Sequence, residues 1–296
     1  MQKILSFFMA IIVFFMQLLG LGGKKNYVEF RDISFGGDPN QVADIALPLN
    51  AGNETGLLVY VHGGSWIGGD EDDGWDLVKY CAQNLKLAAV TINYRFLSEG
   101  GSVRCRDMLD DITSGITTAI NKAAEQGIKI KSVAIGGTSA GAQLALLHAY
   151  MRTDDSPVPI KFAYGEVGPA DFTGRAFIDG CTGFDKNFVL ALLSELTGMT
   201  VTLTNIDTPA VQNALGAISP VSYVTPSSVP TVMAYGAKDD IVSVEVAHSL
   251  DNALNKAGVR HDFFMFPNSG HDLANDEKVR KSYNDKLLEY IQTYLY

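Results

Sequence analysis

The sequence predicts an α/β fold with a mostly parallel, doubly wound sheet and an antiparallel N-terminal hairpin. Short apolar runs alternate with stretches of helical apolar spacing along the body of the chain. Continuous apolar runs are typical of strands buried on both faces, and their alternation with helices is typical of βαβ units. The first two strand-like segments instead alternate residue by residue, which indicates a half-buried hairpin at one edge.

The composition is that of a folded globular protein, and it limits the partners. The chain has 296 residues, of which 47% are hydrophobic and 19% charged, and its formal net charge is -10. Nucleic acids and anionic lipids attract basic faces, so we expect neither as a partner. The three cysteines lack metal-ligand spacing and are expected as buried thiols. A Cys105–Cys181 bridge is the alternative in an oxidising compartment.

Residues 1–23 have the pattern of a secretory signal peptide or a signal anchor. One lysine precedes a nearly unbroken apolar run over 4–21, and small residues and two lysines follow. The run is long for a signal peptide and short for a membrane span, and it lacks an Ala-x-Ala cleavage pattern. We expect an exported protein that is secreted, periplasmic or attached to a membrane through residues 4–21. Residues 24–296 would form one large domain.

The elements can be assigned in order from their apolar spacing. Alternating residues predict strands over 27–35 and 41–47, with a Gly/Pro turn between them. Buried strands are predicted over 57–61, 87–92, 133–135, 160–167, 229–235 and 260–266. Helices are predicted over 75–85, 106–126, 141–151, 243–257 and 276–294.

Residues 172–224 interrupt this alternation. They contain one helical stretch, 188–196, with Gly/Thr-rich flanks, and they lie between two predicted strands. Ligands of open parallel sheets bind beyond the carboxyl ends of the strands, where this segment leaves the sheet. We expect a small cap-like insertion over the site, and the alternative is a surface loop with one helix.

A strand, a tight turn and a helix meet at the sequence Gly137-Thr138-Ser139-Ala140-Gly141. This G-x-S-x-G context is that of a nucleophile elbow, which presents a serine hydroxyl above the sheet. The elbow also leaves the N–H of Ala140 at a helix N-terminus, where it can stabilise an oxyanion. A chance Gly/Ser turn is the alternative for this motif taken alone.

Three further strand ends complete a catalytic set. The strand ending at residue 61 leads into His62-Gly63-Gly64, whose glycine N–H groups can approach an oxyanion without side-chain obstruction. Later strands deliver Asp239 and His271, so the order is serine, acid, histidine. Ser139 needs a base, His271 can supply one, and a carboxylate must orient the imidazole. Asp239 is preferred over its neighbour Asp240, and Asp171 is the remaining alternative.

The other four histidines are less suited to act as the base. His62 belongs to the glycine loop and precedes Ser139. His148 and His248 fall on predicted helices, where structural or exposed positions are expected. His261 begins the last strand and therefore lies at the opposite edge of the sheet.

Several motifs together resemble the α/β-hydrolase superfamily. They are His62-Gly63-Gly64-Ser65-Trp66, Tyr94-Arg95, the elbow, Ser219-Pro220, residues 236–242 (GAKDDIV) and Ser269-Gly270-His271. More closely, the chain is similar to carboxylesterases with an HGGxW loop, which include hormone-sensitive-lipase-like and BD-FAE-like esterases and kynurenine formamidases. The resemblance implies an α/β-hydrolase fold with Ser139, Asp239 and His271 as the triad. It implies Gly63, Gly64 and Ala140 as oxyanion donors. The hairpin at residue 27 leaves no room for a long N-terminal lid, which favours the BD-FAE-like kind.

The expected function is that of a serine carboxylesterase that works through an acyl-enzyme. The expected substrates are short-chain acyl esters or acetyl and feruloyl esters linked to carbohydrate, and no metal or cofactor is needed. An amide hydrolase with the same triad and a non-catalytic binding protein are the alternatives. The acidic run at 70–73 is expected to be a solvated turn, with a cationic-substrate role as its alternative.

Overall fold

An eight-stranded sheet organises the computed structural model, which describes residues 25–49 and 52–296. The expected signal or anchor segment, residues 1–23, lies outside these residues. The strands are β1 (Tyr27–Ser34), β2 (Val42–Pro48), β3 (Glu54–Val61), β4 (Ala88–Ile92), β5 (Lys129–Thr138), β6 (Ile160–Glu166), β7 (Thr231–Gly236) and β8 (His261–Phe266). Their spatial order is β1-β2-β4-β3-β5-β6-β7-β8.

The strand directions bring the candidate site residues to one edge of the sheet. β1 and β2 are antiparallel, and β2 is antiparallel to β4, whereas β4, β3, β5, β6, β7 and β8 run parallel. The carboxyl ends of parallel strands meet at the same edge, where ligands of such sheets bind. The predicted mostly parallel sheet with an antiparallel hairpin at one edge is therefore confirmed.

Helices cover both faces of the sheet. They are α1 (Trp75–Asn84), α2 (Cys105–Glu125), α3 (Ala140–Met151), α4 (Ala176–Gly180), α5 (Lys186–Thr197), α6 (Pro209–Ala217), α7 (Val244–Ala257) and α8 (Glu277–Tyr294). α1 and α8 pack on one face, and α2, α3 and α7 pack on the other. Successive side chains of β3 follow this division, since Leu57 and Val59 join one core cluster and Leu58 the other.

The segment between β6 and β7 is more helical than the sequence predicted. The expected helix over 188–196 is present as α5, which Asp185 caps and Gly198 ends in a left-handed conformation. α4 and α6 were not predicted, although α6 begins with Thr208 and Pro209, a common start for a helix. The buried residues of α5 include Val189, Leu192 and Leu193, which lie near Ser139 at the carboxyl edge of the sheet.

The acidic run at 70–73 is only partly a solvated turn, so that expectation was wrong for Glu71. Asp70 caps a 3₁₀ helix, Glu71–Gly74, by accepting a hydrogen bond from the N–H of Asp72. Glu71 is buried, and this burial, with other carboxylates close by, raises its pKa to about 7.

Among residues 25–49 and 52–296, no helix has the length and hydropathy that crossing a bilayer requires.

Candidate active site

Ser139 lies at the tip of a strained turn between β5 and α3. Its backbone has φ 53° and ψ -122°, a conformation that residues with side chains rarely adopt and that is typical of functional turns. The neighbouring glycines permit the turn because a Cβ atom at Gly137 or Gly141 would lie 2.1 Å from the carbonyl oxygen of Val61. Only glycine therefore allows the elbow to pass this close to the end of β3.

Ser139, His271 and Asp239 form a continuous hydrogen-bonded chain. The Ser139 Oγ lies 2.9 Å from Nε2 of His271, and Nδ1 of His271 lies 2.7 Å from Oδ2 of Asp239. In the tautomer with a proton on Nδ1, His271 donates to Asp239 and can accept the serine proton at Nε2. This is the geometry that a nucleophile, a base and an orienting carboxylate require.

Asp239 contacts His271, whereas the two alternative acids do not. The second oxygen of Asp239 accepts hydrogen bonds from the N–H groups of Ile241 and Val242, both at 2.9 Å. Asp240 is exposed. Asp171 accepts hydrogen bonds from Thr173 and from the hydroxyl of Ser249 on α7, so it caps a turn instead.

The glycine loop after β3 packs directly against the elbow. A Cβ atom at Gly141 would lie 2.3 Å from the carbonyl oxygen of His62. Within the described residues, the backbone N–H groups of Gly63 and Gly64 have no hydrogen-bond acceptor in the protein. Ala140 is the first residue of α3, and the first N–H groups of a helix have no intrahelical acceptor. Gly63, Gly64 and Ala140, the predicted oxyanion donors, therefore have N–H groups without an acceptor in the described part of the chain.

A buried glutamine, which sequence reasoning did not identify, anchors the same loop. Ser65 and Trp66 both have positive φ, at 53° and 62°. The Trp66 indole donates a hydrogen bond to Oε1 of Gln143 at 2.9 Å, and Gln143 donates to the carbonyl of Ile218 at 2.8 Å. Gln143 follows Ser139 by four residues on α3, so one helical turn connects the nucleophile to the loop. Only the helical spacing from Ser139 could have indicated this residue.

The remaining histidines have structural or surface surroundings. His62 is buried, stacks on Tyr94 with ring centres 4.5 Å apart, and contacts Asn93 Oδ1 at 2.8 Å. His148 is buried beside Thr113, and burial lowers its pKa to about 4, so it stays neutral. His248 is exposed, and His261 begins β8 at the far edge of the sheet.

A small apolar cavity opens next to Ser139. Its volume is about 20 Å³. Ser65, Trp66 and Ala140 form its side toward the sheet, together with Pro169, Ile241 and Val242. The segment over residues 172–224 contributes the opposite wall, which consists of Phe177, Cys181, Phe184, Val189, Leu192 and Leu193. The arrangement can accept an apolar group about the size of one or two water molecules beside the serine.

The three thiols are buried, and one acidic cluster is in contact with an arginine. All three cysteines are buried and unbridged, and burial raises the pKa of the Cys181 thiol to about 11. Carboxylate oxygens of Asp32, Asp44 and Glu71 lie within 4.8 Å of one another. The cation beside them is Arg31, whose Nε donates to Asp44 at 2.7 Å. The cluster is therefore already partly neutralised by a side chain.

A family profile matches most of the chain and identifies its family. The profile of the BD-FAE family matches residues 43–254, a range that contains the glycine loop, the elbow and Asp239. The chain belongs to the BD-FAE family. The predicted resemblance to BD-FAE-like α/β-hydrolases is thereby confirmed.

Curated relatives of this BD-FAE chain are named as esterases. A probable isoprenylcysteine α-carbonyl methylesterase, ICMEL1, of Oryza sativa subsp. japonica is 24% identical over 279 residues, which are 90% of this chain and 62% of that protein. Esterase LipQ of Mycobacterium tuberculosis is 26% identical over 277 residues, which are 88% of this chain and 61% of that protein. The chain therefore spans about three fifths of the length of these relatives.

Solved structures share the fold at low sequence identity. A truncated carbohydrate esterase from gut microbiota superposes with a TM-score of 0.70 at 15% identity, and the match covers 91% of this chain and 99% of that one. Phosphonate-inhibited esterase B of Lactobacillus rhamnosis gives a TM-score of 0.70 at 15% identity, with 98% and 92% covered. These likenesses establish the α/β-hydrolase fold of the BD-FAE chain.

Proposed function

We propose that this protein is a serine carboxylesterase that hydrolyses esters of short acyl groups. The observation that carries the proposal is the hydrogen-bonded chain of Ser139, His271 and Asp239, with its distances of 2.9 and 2.7 Å. The family and the names of its relatives support an ester-hydrolysing activity. In this reaction, Ser139 attacks the ester carbonyl while His271 accepts its proton.

The backbone donors complete the reaction cycle. The tetrahedral oxyanion binds the N–H groups of Gly63, Gly64 and Ala140, and the loss of one such donor typically costs about 10²–10³ in rate. His271 then gives its proton to the leaving alcohol. Water, activated by the same imidazole, hydrolyses the acyl-enzyme and regenerates Ser139. No metal or cofactor enters these steps.

The cavity beside Ser139 favours a small acyl group. A volume of about 20 Å³ accommodates the methyl of an acetyl group, since one water molecule needs at least about 10–15 Å³. A feruloyl acyl group is much larger and would require the wall formed by α5 to move. Among the expected substrates, we therefore favour acetyl esters, including acetyl esters of carbohydrates. The alcohol side lies outside the cavity and is not limited by it.

Hydrolysis of p-nitrophenyl acetate, butyrate and octanoate by the purified protein tests the proposal. We expect turnover with kcat/KM highest for acetate, and a loss of at least about 10³-fold in Ser139→Ala. A fluorophosphonate should add its mass to the parent and not to Ser139→Ala. His248→Gln, at an exposed histidine, is the matched control and should keep full activity.

The same assay separates the alternatives. An amide hydrolase would turn over an aryl formamide faster than the matched ester, and that result would replace the carboxylesterase assignment. A protein that is folded, unlabelled by the fluorophosphonate and inactive on both substrates would contradict any serine hydrolase function and favour a binding role.

We also propose that the protein is exported, because residues 1–23 have the pattern of a signal peptide or a signal anchor. An alkaline phosphatase that folds only outside the cytoplasm, fused after residue 25, should be active. An inactive fusion of normal abundance would contradict export.

A further inference from the structure

The start of helix α8 contacts the residues next to both partners of the Ser139–His271 hydrogen bond. Asp276 immediately precedes the first residue of α8 and Arg280 follows four residues later, so both lie on the same side of the helix. The N–H of Arg280 donates to the carbonyl of Asp276 at 2.9 Å. Asp276 reaches the loop that carries His271, and Arg280 reaches the strand end beside Ser139.

The carboxylate of Asp276 closes the histidine loop. Its Oδ2 accepts hydrogen bonds from the N–H of Asn268 at 2.9 Å and from the hydroxyl of Ser269 at 2.6 Å. Its Oδ1 accepts from Nδ2 of Asn268 at 3.0 Å, and the Ser269 hydroxyl accepts from the N–H of Asn275 at 3.0 Å. One carboxylate therefore joins the two ends of the segment in which His271 lies.

Arg280 acts on the other partner through Glu166. Nη1 of Arg280 donates to Oε1 of Glu166 at 2.8 Å, and both side chains are about nine-tenths buried. The carbonyl of the same Glu166 accepts the N–H of Ser139 at 2.8 Å. The guanidinium also lies 4.9 Å from the ring centre of Phe266, the last residue of β8. Arg280 thus connects the end of β6, which accepts the Ser139 N–H, with the end of β8, which precedes the His271 loop.

The peptide that accepts the Ser139 N–H is itself strained. Val167 follows Glu166 and has φ 49°, a left-handed conformation that β-branched residues rarely adopt. Such a conformation persists only where surrounding contacts impose it. Here those contacts are the buried ion pair of Glu166 and the hydrogen bond from the Val167 N–H to the carbonyl of Ala234 at 2.8 Å. Loss of the ion pair would allow this peptide to relax and the elbow to shift with it.

We propose that Asp276 and Arg280 are positioning residues that together set the distance between the Ser139 hydroxyl and the His271 imidazole. The proposal rests on the proposed function, since that distance matters for catalysis only if Ser139 is the nucleophile. Neither residue touches the substrate cavity. A displacement of about 1 Å at reacting groups can lower the rate about 10²-fold, so a small shift of Ser139 or His271 would have a large kinetic effect.

Three variants test the proposal. Asp276→Asn replaces an acceptor of the loop hydrogen bonds with a donor, and Arg280→Met keeps an apolar stem but removes the charge. Lys281→Met is the control, because Lys281 pairs with Asp285 on the exposed side of the same helix. Each is assayed with p-nitrophenyl acetate well below its Tm, with kcat expressed per folded molecule. We expect Asp276→Asn and Arg280→Met to lower kcat about 10–100-fold with KM changed less than about twofold, and Lys281→Met to change neither.

A spectroscopic measurement makes the result independent of turnover. The proton on Nδ1 of His271 that faces Asp239 should give a downfield ¹H NMR signal in the parent, and the Asp276→Asn variant should shift or lose it. If the parent protein shows the signal but hydrolyses no ester, the proposed function is contradicted. The inference about positioning is then decided by the NMR signals of the parent and of Asp276→Asn, which must differ. Folded variants that retain both the parent kcat and the parent signal would overturn the inference.

Two milder variants test the positioning role if Asp276→Asn or Arg280→Met fails to fold. Ser269→Ala removes the hydroxyl contacts to Asp276 and to the N–H of Asn275 but keeps the carboxylate, and Arg280→Lys keeps the charge beside Glu166. We expect Ser269→Ala to lower kcat several-fold. We expect the kcat of Arg280→Lys to be higher than that of Arg280→Met. Full parent kcat in Ser269→Ala together with equal kcat in Arg280→Lys and Arg280→Met would contradict the proposal.

Discussion

Two adjacent carboxylates, Asp239 and Asp240, show how contacts at single residues separate chemistry from surface charge. The Asp239 side chain is fully buried and accepts from His271 with one oxygen and from the N–H groups of Ile241 and Val242 with the other. Asp240 is exposed. The backbone donors orient Asp239 so that its second oxygen faces the imidazole, and Asp240 has no equivalent contacts to the site.

Substitution of these two residues should therefore have very different effects. We expect Asp239→Asn to lower kcat for p-nitrophenyl acetate by about 10³–10⁴-fold, because an amide stabilises the wrong imidazole tautomer. Asp240→Asn is the matched control and should stay within about twofold of the parent. Comparable losses in both variants would assign the orienting role to the loop as a whole rather than to Asp239.

The sequence suffices for some residues of the site and not for others. Ser139 is recognisable because strand, glycines and helix are all within a few residues of it, and Asp239 and His271 because each follows a buried strand in the expected order. Gln143, Glu166 and Arg280 carry no such local signal. Arg280 is 114 residues from Glu166 and meets it only after β5, β6 and α8 have packed. Pairings of this kind depend on the strand order and on the exact approach of helices.

At the scale of elements, helix α5 and its flanks form one wall of the cavity beside Ser139. Leu192 and Leu193 extend from α5 into the cavity, and Phe177 and Phe184 extend into it from the preceding residues. The opposite wall comes from the glycine loop and from the residues that follow Asp239. The insertion between β6 and β7 thus forms one wall of the cavity, and under the proposed function it would limit the size of the acyl group.

Shortening Leu192 should widen the range of acyl groups. In Leu192→Ala, we expect kcat/KM for p-nitrophenyl butyrate relative to acetate to rise about tenfold, since two additional methylenes can each gain about 0.8 kcal/mol on burial. The substitution should also lower stability by about 2–5 kcal/mol, as core truncations do. Assays of both esters at a temperature where all variants are folded measure the ratio.

The control for this change is another leucine of the same segment. Leu203 is exposed, so Leu203→Ala should leave the butyrate-to-acetate ratio unchanged. A ratio unaffected in Leu192→Ala would indicate that the acyl group lies elsewhere, and the small cavity would then have no part in chain-length selection.

The helices of the insertion illustrate the limits of prediction at this scale. α5 was expected because its apolar residues recur at helical spacing, whereas α4 has five residues and too few turns to show a period. α6 has a clear start at Thr208 and Pro209 but a short and weakly patterned body. Short helices are stabilised by the surface on which they pack, and that surface does not exist until the sheet has formed.

For the molecule as a whole, the buried acidic group Glu71 couples stability to pH. Burial, with Asp70, Asp44 and Asp32 nearby, raises the pKa of Glu71 to about 7 in the folded protein, above its ordinary value of 4.5. The folded state therefore binds this proton more tightly than the unfolded state. The resulting stabilisation is fully present below about pH 4.5 and is lost as the pH rises through about 7.

Removal of this charge should stabilise the protein at alkaline pH. We expect Glu71→Gln to raise the Tm by a few degrees at pH 8, where the parent must keep a buried carboxylate ionised, since about 1 kcal/mol shifts the Tm by ~2–4 °C in domains of 150–250 residues. The Tm difference should shrink toward pH 5, where Glu71 is protonated in the parent. Thermal unfolding of both proteins across this range measures it.

Asp72→Asn is the control for this prediction, because Asp72 belongs to the same acidic run but is exposed. It should show no comparable dependence on pH. A Glu71→Gln variant less stable than the parent at pH 8 would mean that the ionised carboxylate has a favourable partner, and the sign of the argument would be wrong.

The sequence by itself determined the α/β class, the order of strands and helices, the edge hairpin and the candidate residues Ser139, Asp239, His271, Gly63, Gly64 and Ala140. These features depend on local periodicity and on turns of a few residues, which are legible without knowledge of the fold. Only the tertiary structure decided which side chains meet at a distance: Trp66 with Gln143, Arg280 with Glu166, and Asp276 with the histidine loop. It also decided the size of the cavity beside Ser139 and the burial of Glu71, because volume and desolvation arise only when separate elements pack together.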